Sequence, residues 1–133
     1  MYKTCILAEH DPWEIRLLRV YAEKIGYRVT SAYEGQEVMP LARQEQPDVI
    51  LLEENLPGAV DSKGVLHLLR TDRDTHDVPV IVFTWLGRPA ARQAIPNADG
   101  YLQKPATYEA FLAALAEAGL GDQVAAERRG GER

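Results

Sequence analysis

The stretch Val49-Ile50-Leu51-Leu52-Glu53-Glu54-Asn55-Leu56-Pro57-Gly58 decides how this chain folds. Four consecutive apolar residues run into two carboxylates, and a Pro-Gly turn follows. Apolar side chains at successive positions describe a strand buried on both faces, as in a parallel sheet covered by helices. Pro57-Gly58 then stops the strand and turns the chain. Glu53 is thus placed at the carboxyl end of a buried strand. In open α/β sheets that edge is where ligands and chemistry collect.

Outward from this strand, the pattern repeats. Thr4 to Ala8 reads as a buried strand, followed by Asp11 as a helix N-cap and Pro12 at the first helical position. Ile15, Leu18, Ala22 and Ile25 recur at helical spacing, and Gly26 ends that helix. Arg28 to Ala32 is a more polar strand, placed near a sheet edge. Glu34-Gly35 opens a second helix through Val38, Leu41, Ala42 and Glu45, which Pro40 is expected to kink or shorten. After the Asp48–Leu52 strand, residues 59–64 form a loop or ragged helix start. Val65, Leu66, Leu68 and Leu69 continue into a helix ending near Thr71. Val78 to Phe83 is a further apolar strand with Thr84 at its end. Between Trp85 and Asn97, Gly87, Pro89 and Pro96 leave room for about two helical turns. Asp99 to Gln103 is a short strand containing Tyr101, closed by Lys104-Pro105. Tyr108, Phe111, Leu112 and Leu115 form the last amphipathic helix, ended by Gly119. Strand and helix alternating in this way predict an α/β fold: a parallel sheet with helices on both faces and right-handed crossovers. Residues 1–119 are expected to form one domain and 120–133 a polar, flexible tail.

Composition narrows the function. The chain has 133 residues, enough for one full core without metal or disulfide support. With 15 basic against 20 acidic residues the net charge is −5, which argues against a nucleic-acid footprint. The single Cys5 falls in the first apolar run, so it is read as a core residue. No signal-peptide pattern and no apolar run of spanning length are present, so a cytoplasmic protein with no membrane association is expected. His10, His67 and His76 lack the spacing of a shared site, and no transition metal is predicted.

Topology gathers Glu9, His10, Glu53, Thr84 and Lys104 at one sheet edge, and here a resemblance carries the reading further. Ile6-Leu7-Ala8-Glu9-His10-Asp11-Pro12 resembles the first strand and acidic pair of the bacterial response-regulator receiver domains. Pro47-Asp48-Val49-Ile50-Leu51-Leu52-Glu53, followed by Leu56-Pro57-Gly58, resembles their acceptor strand and its turn. Val78-Pro79-Val80-Ile81-Val82-Phe83-Thr84 resembles the strand ending in the switch threonine. Ala98-Asp99-Gly100-Tyr101-Leu102-Gln103-Lys104-Pro105 resembles the strand with the switch aromatic and the lysine. The likeness runs from about residue 3 to about residue 118. It implies a flavodoxin-like (βα)5 three-layer sandwich whose five parallel strands lie in the order 2-1-3-4-5.

The resemblance also implies phosphoryl transfer from a histidine kinase to an aspartate, with Mg²⁺ held by neighbouring acids. This sequence departs from that pattern at three places in one pocket. The acceptor position holds Glu53, whose extra methylene moves the carboxylate by about an ångström, the scale at which in-line transfer loses alignment. The second acidic position holds His10, a poor donor for an ion that wants hard oxygen ligands. Trp85 follows Thr84, where the family keeps a small residue, and can roof the entrance. Each change alone also reads as a working variant, a solvated loop residue or simple packing. Together they identify a phosphorylation-independent receiver, or pseudo-receiver, that is not an enzyme and holds Mg²⁺ weakly or not at all. Glu53 and Lys104 are expected to pair across the pocket. His10, beside Glu9 and facing Glu53, gives a secondary pH-sensing reading.

The expected partners are proteins of a signalling pathway, a histidine kinase or an effector. A homodimer through residues 88–104 and the last helix is a further expectation, with Arg88, Arg92 and Tyr101 as interface candidates. A Tyr101–Thr84 coupling is possible in principle, with the rotamer of Tyr101 static once Glu53 is fixed. Two alternatives stay open. One is a single-domain regulator phosphorylated on Glu53, or locked in an active-like state by it. The other is a flavodoxin-like small-ligand binder, disfavoured because no Gly-rich phosphate loop follows the first strand.

Overall fold

The computed structural model describes residues 2–121, so the expected tail lies outside the described residues from 122 onward. Five strands form one parallel sheet: β1 (Lys3–Ala8), β2 (Tyr27–Ala32), β3 (Val49–Glu53), β4 (Val80–Thr84) and β5 (Gly100–Gln103). Their order is β2-β1-β3-β4-β5, as the resemblance implies. The helices are α1 (Pro12–Lys24), α2 (Val38–Glu45), α3 (Ser62–Thr71), α4 (Arg88–Ala94) and α5 (Tyr108–Glu117). Among the described residues no helix is long and apolar enough to cross a membrane.

The central strands are apolar at every position because both faces are covered. Successive side chains on a strand point to opposite faces. Ile50 and Leu52 of β3 therefore join Ile6, Val80 and Val82 against Val38, Ala42, Val65, Leu69 and Ala91, on α2, α3 and α4. Val49 and Leu51 join Cys5, Leu7, Ile81 and Phe83 against Leu18, Ala22, Phe111 and Leu115, on α1 and α5. Burying Leu51 and Leu52 contributes about 2 kcal/mol each on opposite sides of one sheet. Cys5 is buried, and that burial pushes its thiol up to about 12. The more polar β2 pairs with β1 alone and lies at an edge, as its composition predicts.

Helix ends follow the sequence signals. Asp11 caps α1 by accepting from Trp13 N at 2.9 Å, with Pro12 at the first helical position. Asp61 caps α3 through Gly64 N at 2.8 Å, and Thr107 caps α5 through Ala110 N at 3.0 Å. One expectation needs correction. Glu34-Gly35 leads into a 3₁₀ turn (Gly35–Glu37), and α2 begins only at Val38, so Pro40 lies in the first turn of α2. Its missing N–H is little loss there, where helical N–H groups have no intrahelical acceptor, and it does not kink the helix. Gly35 is required by close approach: a Cβ there would lie 1.7 Å from the carbonyl oxygen of Val60. α4 is short, seven residues with Pro89 in its first turn, as its Gly and Pro content predicts.

Candidate functional site at the carboxyl edge of the sheet

Three strands deliver the central residues. Glu9 follows β1, and its N–H donates to Ala32 O of β2 at 3.0 Å. Glu53 closes β3 in register with Phe83 of β4. Lys104 follows β5, and its N–H donates to Thr84 O at 2.7 Å. The peptide bond between Lys104 and Pro105 is cis. Ladder bonds thus fix all three backbones, and the side chains converge in front of the sheet.

Lys104 Nζ donates to Glu9 Oε1 at 2.9 Å and forms a second ion pair with Glu53 Oε2. All three residues are buried. The expected Glu53–Lys104 pair is present, and Glu9 completes it as a triad. The ammonium also lies 4.9 Å from the centroid of the Phe83 ring and 5.7 Å from that of Trp85. Glu53 Oε1 accepts from Asn55 N at 3.1 Å. Ser62 Oγ, from α3, donates to the Glu53 carbonyl at 2.5 Å and accepts from Leu56 N at 3.2 Å, so it pins the end of β3 to the turn that follows.

One cation serves two carboxylates, and the charges respond accordingly. Burial raises Glu9 to about 7; Lys104 pulls it down and Glu53 pushes it up, but burial is the largest effect. Burial alone would lower Lys104, yet the two carboxylates outweigh it and hold the ammonium charged above its ordinary value. The two directions are consistent: the shared cation is doubly stabilised, while one of its partners remains under-compensated. Glu14, in the first turn of α1, is raised by burial, with Lys104 opposing and Asp11 and Glu53 adding to the shift.

The remaining predicted residues divide. His10 is half-exposed, and its Nδ1 stands 4.0 Å from Glu9 Oε2; its recorded partner is Glu9 and not Glu53. Thr84 is buried but is not part of the triad. Its Oγ1 donates to Glu54 Oε1 at 3.1 Å and accepts from Leu86 N at 3.0 Å. Glu54 is thus a site residue that sequence reasoning passed over. The signal was available: with Glu53 opposite Phe83, the next residues in register are Glu54 and Thr84. Trp85 lies beside Lys104 but remains 62% exposed, so it flanks the triad and does not seal it.

Tyr101 requires correction as an interface candidate. It is buried, with its hydroxyl donating to Ile95 O at 2.6 Å and accepting from Ala98 N at 3.3 Å. Its apolar ring and the satisfied hydroxyl hold it inside, and the hydroxyl's partners are Ile95 O and Ala98 N, not Thr84. Arg88 grips Glu117 of α5 through two bonds of 2.5 and 3.1 Å, and Arg92 stands 3.6 Å from the same carboxylate and over the Tyr101 ring. Both arginines are thus engaged within the chain. Among the described residues no three His, Cys, Asp or Glu side chains are grouped so as to hold a metal ion.

A doubly wound five-stranded sheet with an acid–lysine cluster at its carboxyl edge defines a flavodoxin-like signalling domain. The model of the response regulator receiver domain matches residues 5–116, and the chain belongs to that family. It is 38% identical over 110 residues to the DNA-binding dual master transcriptional regulator RpaA of Synechocystis sp., covering 81% of this chain and 45% of RpaA. It is 32% identical over 116 residues to Protein PilH of Pseudomonas aeruginosa, covering 80% of this chain and 89% of PilH. The chain thus spans less than half of one such relative and most of another. Among solved structures it is similar to the bacteriophytochrome response regulator RtBRR, with a TM-score of 0.78 at 25% identity over 90% of this chain and 79% of that one. The chain is a receiver domain of two-component signal transduction, a class of module that interacts with kinases or effectors.

Proposed function

We propose that this receiver works without phosphoryl transfer, as a protein–protein interaction module held in one state by its own side chains. The observation that carries the reading is the Glu9–Lys104–Glu53 triad, in which the ammonium already serves both carboxylates. The family's Mg²⁺ does not fit the residues present. This ion prefers a tight octahedron of hard oxygens. Here the two buried carboxylates are bound to Lys104, and His10 offers nitrogen where a third oxygen ligand is wanted.

Two further contacts support a fixed state. Glu54 and Leu86 N occupy the hydroxyl of Thr84, and Tyr101 is anchored inside by Ile95 O. A receiver that switches must be able to exchange such contacts, and an equilibrium shifts only by the differential affinity of a ligand for its states. With no phosphoryl group to bind, this chain has no such lever at the pocket. Intact-mass measurement after incubation with acetyl phosphate and Mg²⁺ tests the proposal. An unchanged mass is expected. A phosphoryl adduct mapping to Glu53 overturns it in favour of the regulator phosphorylated there.

A further inference from the structure

A groove of about 210 Å³ lies between α3 and the loop that joins α4 to β5. It is lined by Lys63, Leu66, His67 and Arg70 of α3 and by Pro96 and Asn97 of the loop. Positions 63, 66, 67 and 70 are three or four apart, so one side of the helix presents all four. Leu66 is buried and Pro96 is exposed, which gives the groove an apolar floor and an apolar lip. None of the six residues belongs to the acid–lysine triad.

The lining holds basic side chains and no carboxylate. Arg70 is committed: its guanidinium donates to Val78 O at 2.8 Å, to His76 O at 3.4 Å and to Asp99 Oδ2 at 2.5 Å. Asp99 thus cancels the charge of Arg70, and it also accepts from Val80 N at 2.8 Å. Asp61, the carboxylate closest in sequence to Lys63, caps α3 through Gly64 N. Lys63 and His67 are exposed and have no ion pair among the described residues. In a chain of net charge −5, this groove therefore offers one uncompensated cation and one free imidazole over an apolar floor. Mostly apolar concavities with a few convergent polar groups are the usual form of small-molecule sites. Drug-sized sites run to roughly 300–1,000 Å³, so a ligand that fits here is smaller.

We infer that this groove binds a small organic anion, a single carboxylate on an apolar ring or branched body. The body packs on Leu66 and Pro96, and the carboxylate pairs with Lys63 and accepts from the His67 ring. One uncompensated ammonium matches one carboxylate. The site goes beyond the interaction-module reading and does not depend on it, since no residue of the triad takes part. It also has a route into the domain. Pro96 and Asn97 are the two residues between Ile95 and Ala98, the backbone partners of the Tyr101 hydroxyl. A ligand that holds this loop stabilises the conformation in which Tyr101 is anchored, because binding favours the state that it binds.

The test uses the full chain labelled with ¹⁵N and three probes: phenylacetate, the neutral phenylacetamide, and acetate, which lacks the ring. Millimolar phenylacetate is expected to shift the amide signals of Leu66, His67 and Asn97. Phenylacetamide should bind about threefold more weakly, the scale of an exposed charge pair, and acetate more weakly still. The K63Q/H67Q variant should lose a similar factor for phenylacetate, while K63R keeps the affinity of the wild type. Both replaced side chains are exposed, so the melting temperature should not change. At saturation, exchange of the Ala98 N–H with solvent should slow. Three results overturn the inference: no shift at the groove, equal binding of phenylacetamide, or wild-type binding by K63Q/H67Q. Unchanged Ala98 exchange overturns the link to Tyr101. A blocked tripeptide with one Phe between two Glu, binding there much more tightly than phenylacetate, would give the groove to a partner protein and overturn the small-ligand assignment.

Discussion

Replacing Lys104 by Met removes the one cation from a buried site that holds two carboxylates. The side-chain volume is nearly kept, so the cost is electrostatic. Leaving buried charge unpaired by removing one partner typically costs about 3–5 kcal/mol. Total stability for a domain is about 5–15 kcal/mol, so K104M should lose roughly a fifth of it or more. At roughly 4 °C per kcal/mol for a domain of this size, the melting temperature should fall by about 12–20 °C near neutral pH. The loss should depend on pH in a definite direction. Without Lys104, which holds Glu9 down in the wild type, the Glu9 carboxyl is raised further above its unfolded value. Groups raised on folding give stability that is complete below the unfolded value and lost as pH rises through the folded one. K104M should therefore be closest to wild type at about pH 5 and furthest at about pH 8. Adding E9Q and E53L removes the orphaned charges and should recover most of the loss, because neutral isosteres of a buried ion cluster are frequently as stable. Urea unfolding of the three proteins at both pH values is the assay. A K104M loss under about 1 kcal/mol with no pH dependence would refute the idea that the triad is buried and charged.

Other outcomes follow from single contacts. In the wild type, Glu9 is raised from 4.5 to about 7, so stability should decline as pH rises through that interval, and E9Q should flatten the decline; parallel thermal melts at several pH values measure it. Y101F removes the buried hydroxyl bond to Ile95 O and should cost about 1–2 kcal/mol by urea unfolding; a smaller loss would mean that the hydroxyl does not anchor the ring. G35A must push Val60 away from the 3₁₀ turn, since the new Cβ meets a carbonyl oxygen and not a movable side chain, and should cost at least about 2 kcal/mol. An unchanged urea midpoint for G35A would show that the two loops separate at no cost.

The fold was legible because its signals are local. The unbroken run in β3, the Asp11-Pro12 start of α1 and the Gly and Pro residues around α4 each state their structure within a few positions. Pro40 misled for a related reason: a proline's effect depends on where the helix begins, and the 3₁₀ turn before Val38 is not marked in the sequence. At the site, strand ends placed Glu9, Glu53 and Lys104 together. The partnership of Glu54 with Thr84 depends on the register between β3 and β4, which no single segment specifies. Tyr101 was misjudged because an aromatic on a four-residue edge strand can face either way. Burial came from Ile95 O and the α4 region, contacts that exist only after folding.

Glu117 has an effect beyond gripping two arginines. Its Oε1 also accepts from Tyr101 N at 3.2 Å, on the outer side of β5, the strand at the end of the sheet. Gly100 admits α5 to this margin, where a Cβ would stand 3.0 Å from Ala114 O. An amide that would otherwise invite another chain to lengthen the sheet is spoken for by a side chain of its own protein. Growth by strand addition is hindered at that border, and copies of this domain that meet there must recognise one another through side chains.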